Sequence, residues 1–251
     1  MLGPETWIVL VAGAVSAAIA VMIARLVRNR EFEPEDVTIG FLGPSLAALY
    51  LLVLALSLAT EWQTIGSAQQ AVSNEAVAAR QLYWSADGLP AGAAAALRIQ
   101  VRGYVTAVLG HDWPQMERGT LDGQTEQMLA RITGDVLKVN PASSGAATAQ
   151  SYALGQINAL TAAREQREAA AETHLPDGLI AAVIATSLVV CVFPFAGGIR
   201  PAAACIAMAA LQAALVTVGI VVVFQLNHAF AGPLAADPGP LAAVAHQISA
   251  P

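Results

Sequence analysis

The chain has 251 residues, 56% of them hydrophobic and only 12% charged, with a net charge of −6 and a mean hydropathy of +0.59. A soluble domain carries about 25% charged residues, so this composition excludes a single soluble globule and a disordered chain. The negative balance leaves no electrostatic footprint for a phosphate backbone, and no nucleic-acid partner is expected.

Four long, predominantly apolar runs lack Asp, Glu, Lys and Arg altogether: residues 6–24, 37–60, 178–199 and 201–236. A helix crosses the bilayer core with about 20 apolar residues at about 1.5 Å each. The first three runs fit one crossing each. The fourth fits one crossing over about 202–226, because Asn227, His228 and Gly232-Pro233 then break the pattern. Unbroken Ala/Leu/Val runs lack the alternation of barrel strands. The runs therefore predict four transmembrane helices, over about 6–27, 38–60, 178–198 and 202–226, with membrane lipid around them.

Arg25, Arg28 and Arg30 follow the first run, so it reads as an uncleaved anchor rather than a secretory signal. With Arg200 in the turn between the last two spans, the positive-inside rule places both short loops inside. The N-terminus, the middle segment and the C-terminus then fall outside. Cys191 and Cys205 lie in predicted spans as small buried residues, and two cysteines make no disulfide scaffold. Residues 197–201 allow only a tight hairpin, which puts the two thiols at similar depth.

The second span runs on through Glu61-Trp62 and predicts helix to about residue 86, with Ile65, Ala68, Val72, Ala76, Ala79 and Leu82 at helical spacing. Asp87-Gly88-Leu89-Pro90 ends it. The next helix is expected over about 90–109, with Leu97, Val101, Tyr104, Val105 and Val108 as its stripe. Gly110-His111-Asp112 reads as a break. Asp112 is then expected to cap a helix that starts at Trp113-Pro114 and runs to about Lys138. Residues 140–145 read as a loop, and 146–173 as a last helix feeding into the third span. The fold class is thus an all-α membrane protein: spans one and two in 1–60, an extramembrane helical bundle in 61–176, and spans three and four in 177–226. Residues 227–251 read as a C-terminal tail with a short amphipathic segment.

Little in this pattern carries chemistry. His111, His174, His228 and His246 show no ligand spacing such as His-x-x-x-His. Ser143-Ser144 sits in no Gly-x-Ser-x-Gly elbow, and there is no Gly-rich phosphate loop. No catalytic residue, metal site or cofactor is expected, and the chain does not read as an enzyme. Glu75 lies one residue from its helix's apolar stripe, and a half-buried carboxylate needs a cationic or N–H partner. Arg98 and Arg102, four apart on the next helix, are expected to form a structural ion pair with it. No charge lies deep in a span, which speaks against a proton-coupled transporter or pump. Gly13 and Ala17 make a small-xxx-small pair suited to close helix packing.

Several short motifs occur in a fixed order. Asn74-Glu75-Ala76 precedes Leu82-Tyr83, and Gly88-Leu89-Pro90 precedes Leu97-Arg98 and Tyr104. Asp112-Trp113-Pro114 leads to Met116 and Gly119, and Arg164 and Arg167 are paired before the third span. Leu226-Asn227-His228-Ala229-Phe230-Ala231-Gly232-Pro233 closes the series, with Asp237-Pro238 after it. With two spans on either side of an all-α segment, this order resembles the bestrophin-like domain family of bacterial membrane proteins. The chain departs from the family pattern at Asn227, where an acidic residue is usual, and at Ala229, where Pro is usual. Asp112 stands where Glu is more frequent.

The resemblance implies kinship with bestrophins, pentameric anion channels lined by their second span, which hold their large helical segment in the cytoplasm. For this chain it implies a homo-oligomer with Tyr50, Ser57, Thr60 and Glu61 as candidate pore-lining residues and an unidentified ion or ligand. Two readings follow. The main expectation is a multipass membrane protein whose helical module senses or binds a partner outside, without transport. The alternative is an oligomeric, bestrophin-like anion channel. The absence of intramembrane charge favours the first, and the uninterrupted second-span helix favours the second.

Overall fold

The computed structural model describes residues 36–120, 123–196, 203–232 and 234–249. The first predicted span, with Gly13 and Ala17, lies outside the described residues, as do Arg25, Arg28, Arg30 and the 197–201 turn with Arg200. Among the described residues there is no strand, and three helices are long and apolar enough to cross a membrane.

Among the described residues eight α-helices follow in order. Helix α1 is Asp36–Ser85, α2 is Ala91–Ala107, α3 is Trp113–Met116 and α4 is Gln124–Leu137. Then come α5 at Ser144–Glu172, α6 at Asp177–Ala196, α7 at Ala203–Leu226 and α8 at Gly239–Ser249. At about 1.5 Å per residue α1 is about 75 Å long. It forms because its first half is mostly apolar, with the hydroxyls of Tyr50, Ser57 and Thr60 bonded to backbone carbonyls, and its second half keeps an apolar residue every third or fourth position.

Two differences from the sequence expectation concern turns. Gly110-His111-Asp112 does not break the helix. Val108–Asp112 is one π-turn that joins α2 to α3 with the backbone still right-handed helical. Pro114 has no N–H to return to Gly110, and the wider turn, closed by Trp113 N–H to Val108 O, carries the chain past it. The expected helix from Trp113 to Lys138 is in fact two, α3 and α4. Gly119, at φ +70°, ends the first of them in a conformation that a side chain would strain. Ser143 is the N-cap of α5, its hydroxyl accepting from Ala146 N at 3.2 Å.

The chain divides into two compact units, 1–61 with 175–227, and 62–174 with 228–251. Unit 1 contains the apolar part of α1 with α6 and α7. Tyr50, Val190 and Val216 form its buried cluster, joined by Leu46, Leu54 and Ile220. Tyr50 donates to Val216 O at 3.2 Å, and Gly219 lets that ring approach: a Cβ there would lie 2.6 Å from Tyr50 Oη. Hydroxyls of Ser57, Thr60, Thr186, Ser187 and Thr217 donate to the carbonyl four residues back. That is how a helix in hydrocarbon satisfies such groups without water. Cys191 is a half-buried free thiol of α6, and the Cys205 side chain lies outside the described residues.

Unit 2 is all-helical among the described residues, and its buried apolar residues form one cluster. Val72, Ala79 and Leu82 of α1 meet Leu97, Val101 and Val105 of α2, Leu129 and Ile132 of α4, and Ile157 and Leu160 of α5. The segment after α7, expected as a tail, is part of that core. Ala229, Phe230, Leu241, Val244 and Ile248 are all buried in it. Gly232, at φ +102°, and the Ala236 N–H to Ala229 O bond of 2.8 Å fold the segment back.

Candidate functional site

A charged network lies inside unit 2 (Glu75, Tyr104, Asp112, Thr125, Arg164 and Arg167). Glu75 and Arg167 are both 0% exposed. Arg167 donates from Nε to Glu75 Oε2 at 2.6 Å and from Nη2 to Glu75 Oε1 at 3.3 Å, a two-bond fork. Tyr104 donates to Glu75 Oε1 at 2.5 Å. The same Arg167 Nη2 reaches Asp112 Oδ2 at 3.4 Å, and Thr125 donates to that oxygen at 2.6 Å. Arg164 donates from Nε to Thr125 Oγ1 at 3.0 Å and pairs through Nη2 with Glu168 at 2.5 Å. Arg164 and Arg167 share an α5 face because residues three apart on a helix are neighbours.

Isolated charges buried this deeply cost several kcal/mol each, so the electrostatics must close locally. Burial alone would lower the Arg167 pKa, but Glu75, Tyr104 and Asp112 outweigh it and push it up, so the guanidinium stays charged. Burial, reinforced by the Glu75 charge, holds Tyr104 well above its ordinary value, so the phenol stays a donor. Glu168, only partly covered, is raised by burial and pulled back by Arg164 and Arg167. Asp112 Oδ1 is buried with no hydrogen-bond partner, 3.9 Å from His111 Nδ1.

This geometry corrects two sequence expectations. Glu75 pairs with Arg167, not with Arg98 or Arg102. Arg98 pairs with Asp87, and Arg102 donates to Ile248 O at 2.6 Å and Tyr83 Oη at 2.7 Å while lying over the Tyr83 ring. On α2 both arginines flank the buried stripe, whereas Arg167 sits within that of α5. Asp112 is not a helix cap: its backbone is helical and its side chain makes no capping bond. Its carboxylate turns into the core because the π-turn points it at Arg167 and Thr125.

The remaining motif residues support the same core. Trp113 packs edge-on against Phe230, with ring centroids 5.4 Å apart. Asn227, in unit 1, accepts from Leu175 N at 2.7 Å. Of the candidate pore-lining residues, Tyr50, Ser57 and Glu61 are buried within unit 1, and Thr60 is partly exposed with its hydroxyl on Leu56 O. Polar side chains on an apolar helix turn inward where partners exist, so polarity in the sequence marked inward positions rather than outward ones. Among the described residues no cluster of three or more His, Cys, Asp or Glu is placed to hold a metal ion.

The model of the bestrophin-like domain family matches residues 9–241. The chain belongs to that family. Its fold is also that of several solved structures. One crystal structure of a bacterial bestrophin homologue from Klebsiella pneumoniae superposes with a TM-score of 0.70 at 13% identity, covering 99% of this chain and 96% of that one. A second variant of that homologue gives 0.64 at 15% identity, covering 96% and 93%. A structure described only as a membrane protein gives 0.69 at 13% identity, covering 96% and 95%. No match was found among curated proteins. Membership corrects the main functional expectation. A sensing or binding module without transport is not what a bestrophin-like chain with bestrophin-homologue neighbours points to. Glu75, Tyr104, Asp112, Arg164 and Arg167, five of the motif residues that carried the resemblance, build the buried network with Thr125, and Trp113 and Phe230 pack beside one another.

Proposed function

We propose that this bestrophin-like membrane protein is a subunit of a homo-oligomeric anion channel whose path is lined by α1. The match to the family over residues 9–241 carries the reading. The outward face of α1 supports it. Between Leu42 and Ser85 the helix has two carboxylates, Glu61 and Glu75, and both are buried. Its exposed positions include Leu52 and Leu56 in unit 1, and Gln63, Gln70, Asn74 and Gln81 in unit 2. An apolar stretch followed by amide side chains, with no exposed carboxylate, suits an anion that needs N–H donors and no repulsion. Tyr50, Ser57 and Glu61 then support the wall from behind.

The test is chloride efflux from liposomes holding the purified chain, with particle images for symmetry. We expect chloride-selective flux and a ring with an axial opening. Flux no greater than in empty liposomes, or a monomer or twofold dimer, would end the proposal. Gln70→Glu should lower chloride over sodium permeability about five-fold, since one charge at about 4 Å in water is worth about 1 kcal/mol. An unchanged ratio would move the path off this face.

The proposal keeps four spans, at about 6–27, 38–60, 178–198 and 202–226, and a helical bundle outside the membrane between the second and third. The arginine count orients unit 2 and both termini outside the cell. With the two native cysteines replaced, a membrane-impermeant thiol reagent on intact cells should label a cysteine placed at Ser144, which is exposed, and miss one at Asn29. The opposite labelling would invert the orientation and agree with the cytoplasmic bundle of bestrophins.

A further inference from the structure

The chain passes between its two units at Glu61/Trp62, His174/Leu175 and Asn227/His228. Histidines stand at two of these three crossings, and the fold brings them together. The rings of His174 and His228 lie 5.6 Å apart between centroids, tilted by 58°. Both residues are exposed, so an ion can reach them from solvent. Their chain neighbours are tied to each other, Leu175 N donating to Asn227 Oδ1 at 2.7 Å.

We propose that His174 and His228 form a two-histidine site for a divalent transition ion of the Zn²⁺ type. Imidazole suits Zn²⁺, Cu²⁺ and Ni²⁺, whereas Mg²⁺ and Ca²⁺ prefer oxygen donors. Zn–N bonds of about 2.0–2.1 Å put each ring centroid about 3.2 Å from the ion, and a tetrahedral angle puts the centroids about 5.2 Å apart. The rings stand at 5.6 Å, close to that separation, and rotation about the side-chain bonds of these two exposed residues can bring one nitrogen of each onto the ion. Water fills the remaining positions. A bound ion ties the segment leading into α6 to the segment leaving α7, and so links two crossings with one bridge. No spacing rule signals this site, because one ligand precedes α6 and the other follows α7.

The test uses the full chain in detergent, stripped with a chelator and titrated with Zn²⁺, with bound metal measured by mass spectrometry after dialysis. We expect one equivalent, not displaced by Mg²⁺. His174→Ala and His228→Ala should each weaken binding about ten-fold or more, and His246→Ala should bind as the native chain does. His228→Asn serves in place of the alanine variant if size exclusion shows that variant misfolded. No uptake by the native chain, uptake unchanged in both variants, or a loss confined to one of them would each overturn the site.

Discussion

Arg167→Met will destabilise unit 2 more than any other single substitution of a charged residue. The guanidinium is wholly buried and holds Glu75 and Asp112 at once. Removing it leaves Glu75, which is fully buried, with Tyr104 as its hydrogen-bond donor. Breaking one side of a buried ion pair costs about 3–5 kcal/mol, against a total stability of about 5–15 kcal/mol for a typical domain. Thermal melts in detergent should therefore show a large drop in midpoint, or no folded protein at all. Arg118→Ala, on an exposed residue, should leave the midpoint within a degree or two, since surface substitutions shift stability by about 0.5 kcal/mol or less. Glu75→Ala should likewise lose far more than Glu126→Ala. The double change Arg167→Met with Glu75→Gln should lose less than the sum of its parts, because no charge is then left unpaired. Equal midpoints for Arg167→Met and Arg118→Ala would mean that the network stabilises nothing.

The second large effect is expected at Gly88, the last residue of the short 3₁₀ turn Ala86–Gly88 between α1 and α2. A Cβ there would collide with Ala149 Cβ on α5. Neither atom sits on a flexible side chain, so relief requires the turn or α5 itself to move. Overpacking of this kind costs about 1–3 kcal/mol, and Gly88→Val should exceed Gly88→Ala. Ala149→Gly on the same chain should recover much of the loss. Gly92→Ala is the contrast: nothing lies within 4 Å of its added Cβ, and it is a helical position of α2. It should raise the midpoint slightly, since Ala exceeds Gly by about 1 kcal/mol in helix propensity. A neutral Gly88→Ala would show that α5 yields easily at this point.

What could be read from the sequence follows from how local each signal is. The reach of α1 to Ser85 was legible because its apolar spacing never lapses and Asp87-Gly88-Leu89-Pro90 punctuates its end. Helices α6 and α7 were legible as uncharged runs of the right length. The partner of Glu75 was not legible, because Arg167 is 92 positions away and nothing local distinguishes it from Arg98. Asp112 misled for a different reason. Asp followed two residues later by Pro has the composition of a helix start, but the π-turn keeps the backbone helical and directs the carboxylate inward. The tail was misjudged because α8 is only 11 residues long, and its three buried residues, Leu241, Val244 and Ile248, become a core stripe only once Phe230 and α2 supply a surface for them.

That last segment has a consequence for how the protein is made. Unit 2 is discontinuous in the chain, and residues 62–174 are translated well before Phe230 and Ile248. At about 5–20 residues per second, some 4–15 s separate residue 174 from residue 248 on the ribosome. In that interval α6 and α7 emerge and enter the lipid, while the groove that will receive α8 stays open. Unit 2 is therefore completed only after α6 and α7 have been made, and until then Phe230, Leu241, Val244 and Ile248 have no part in its core.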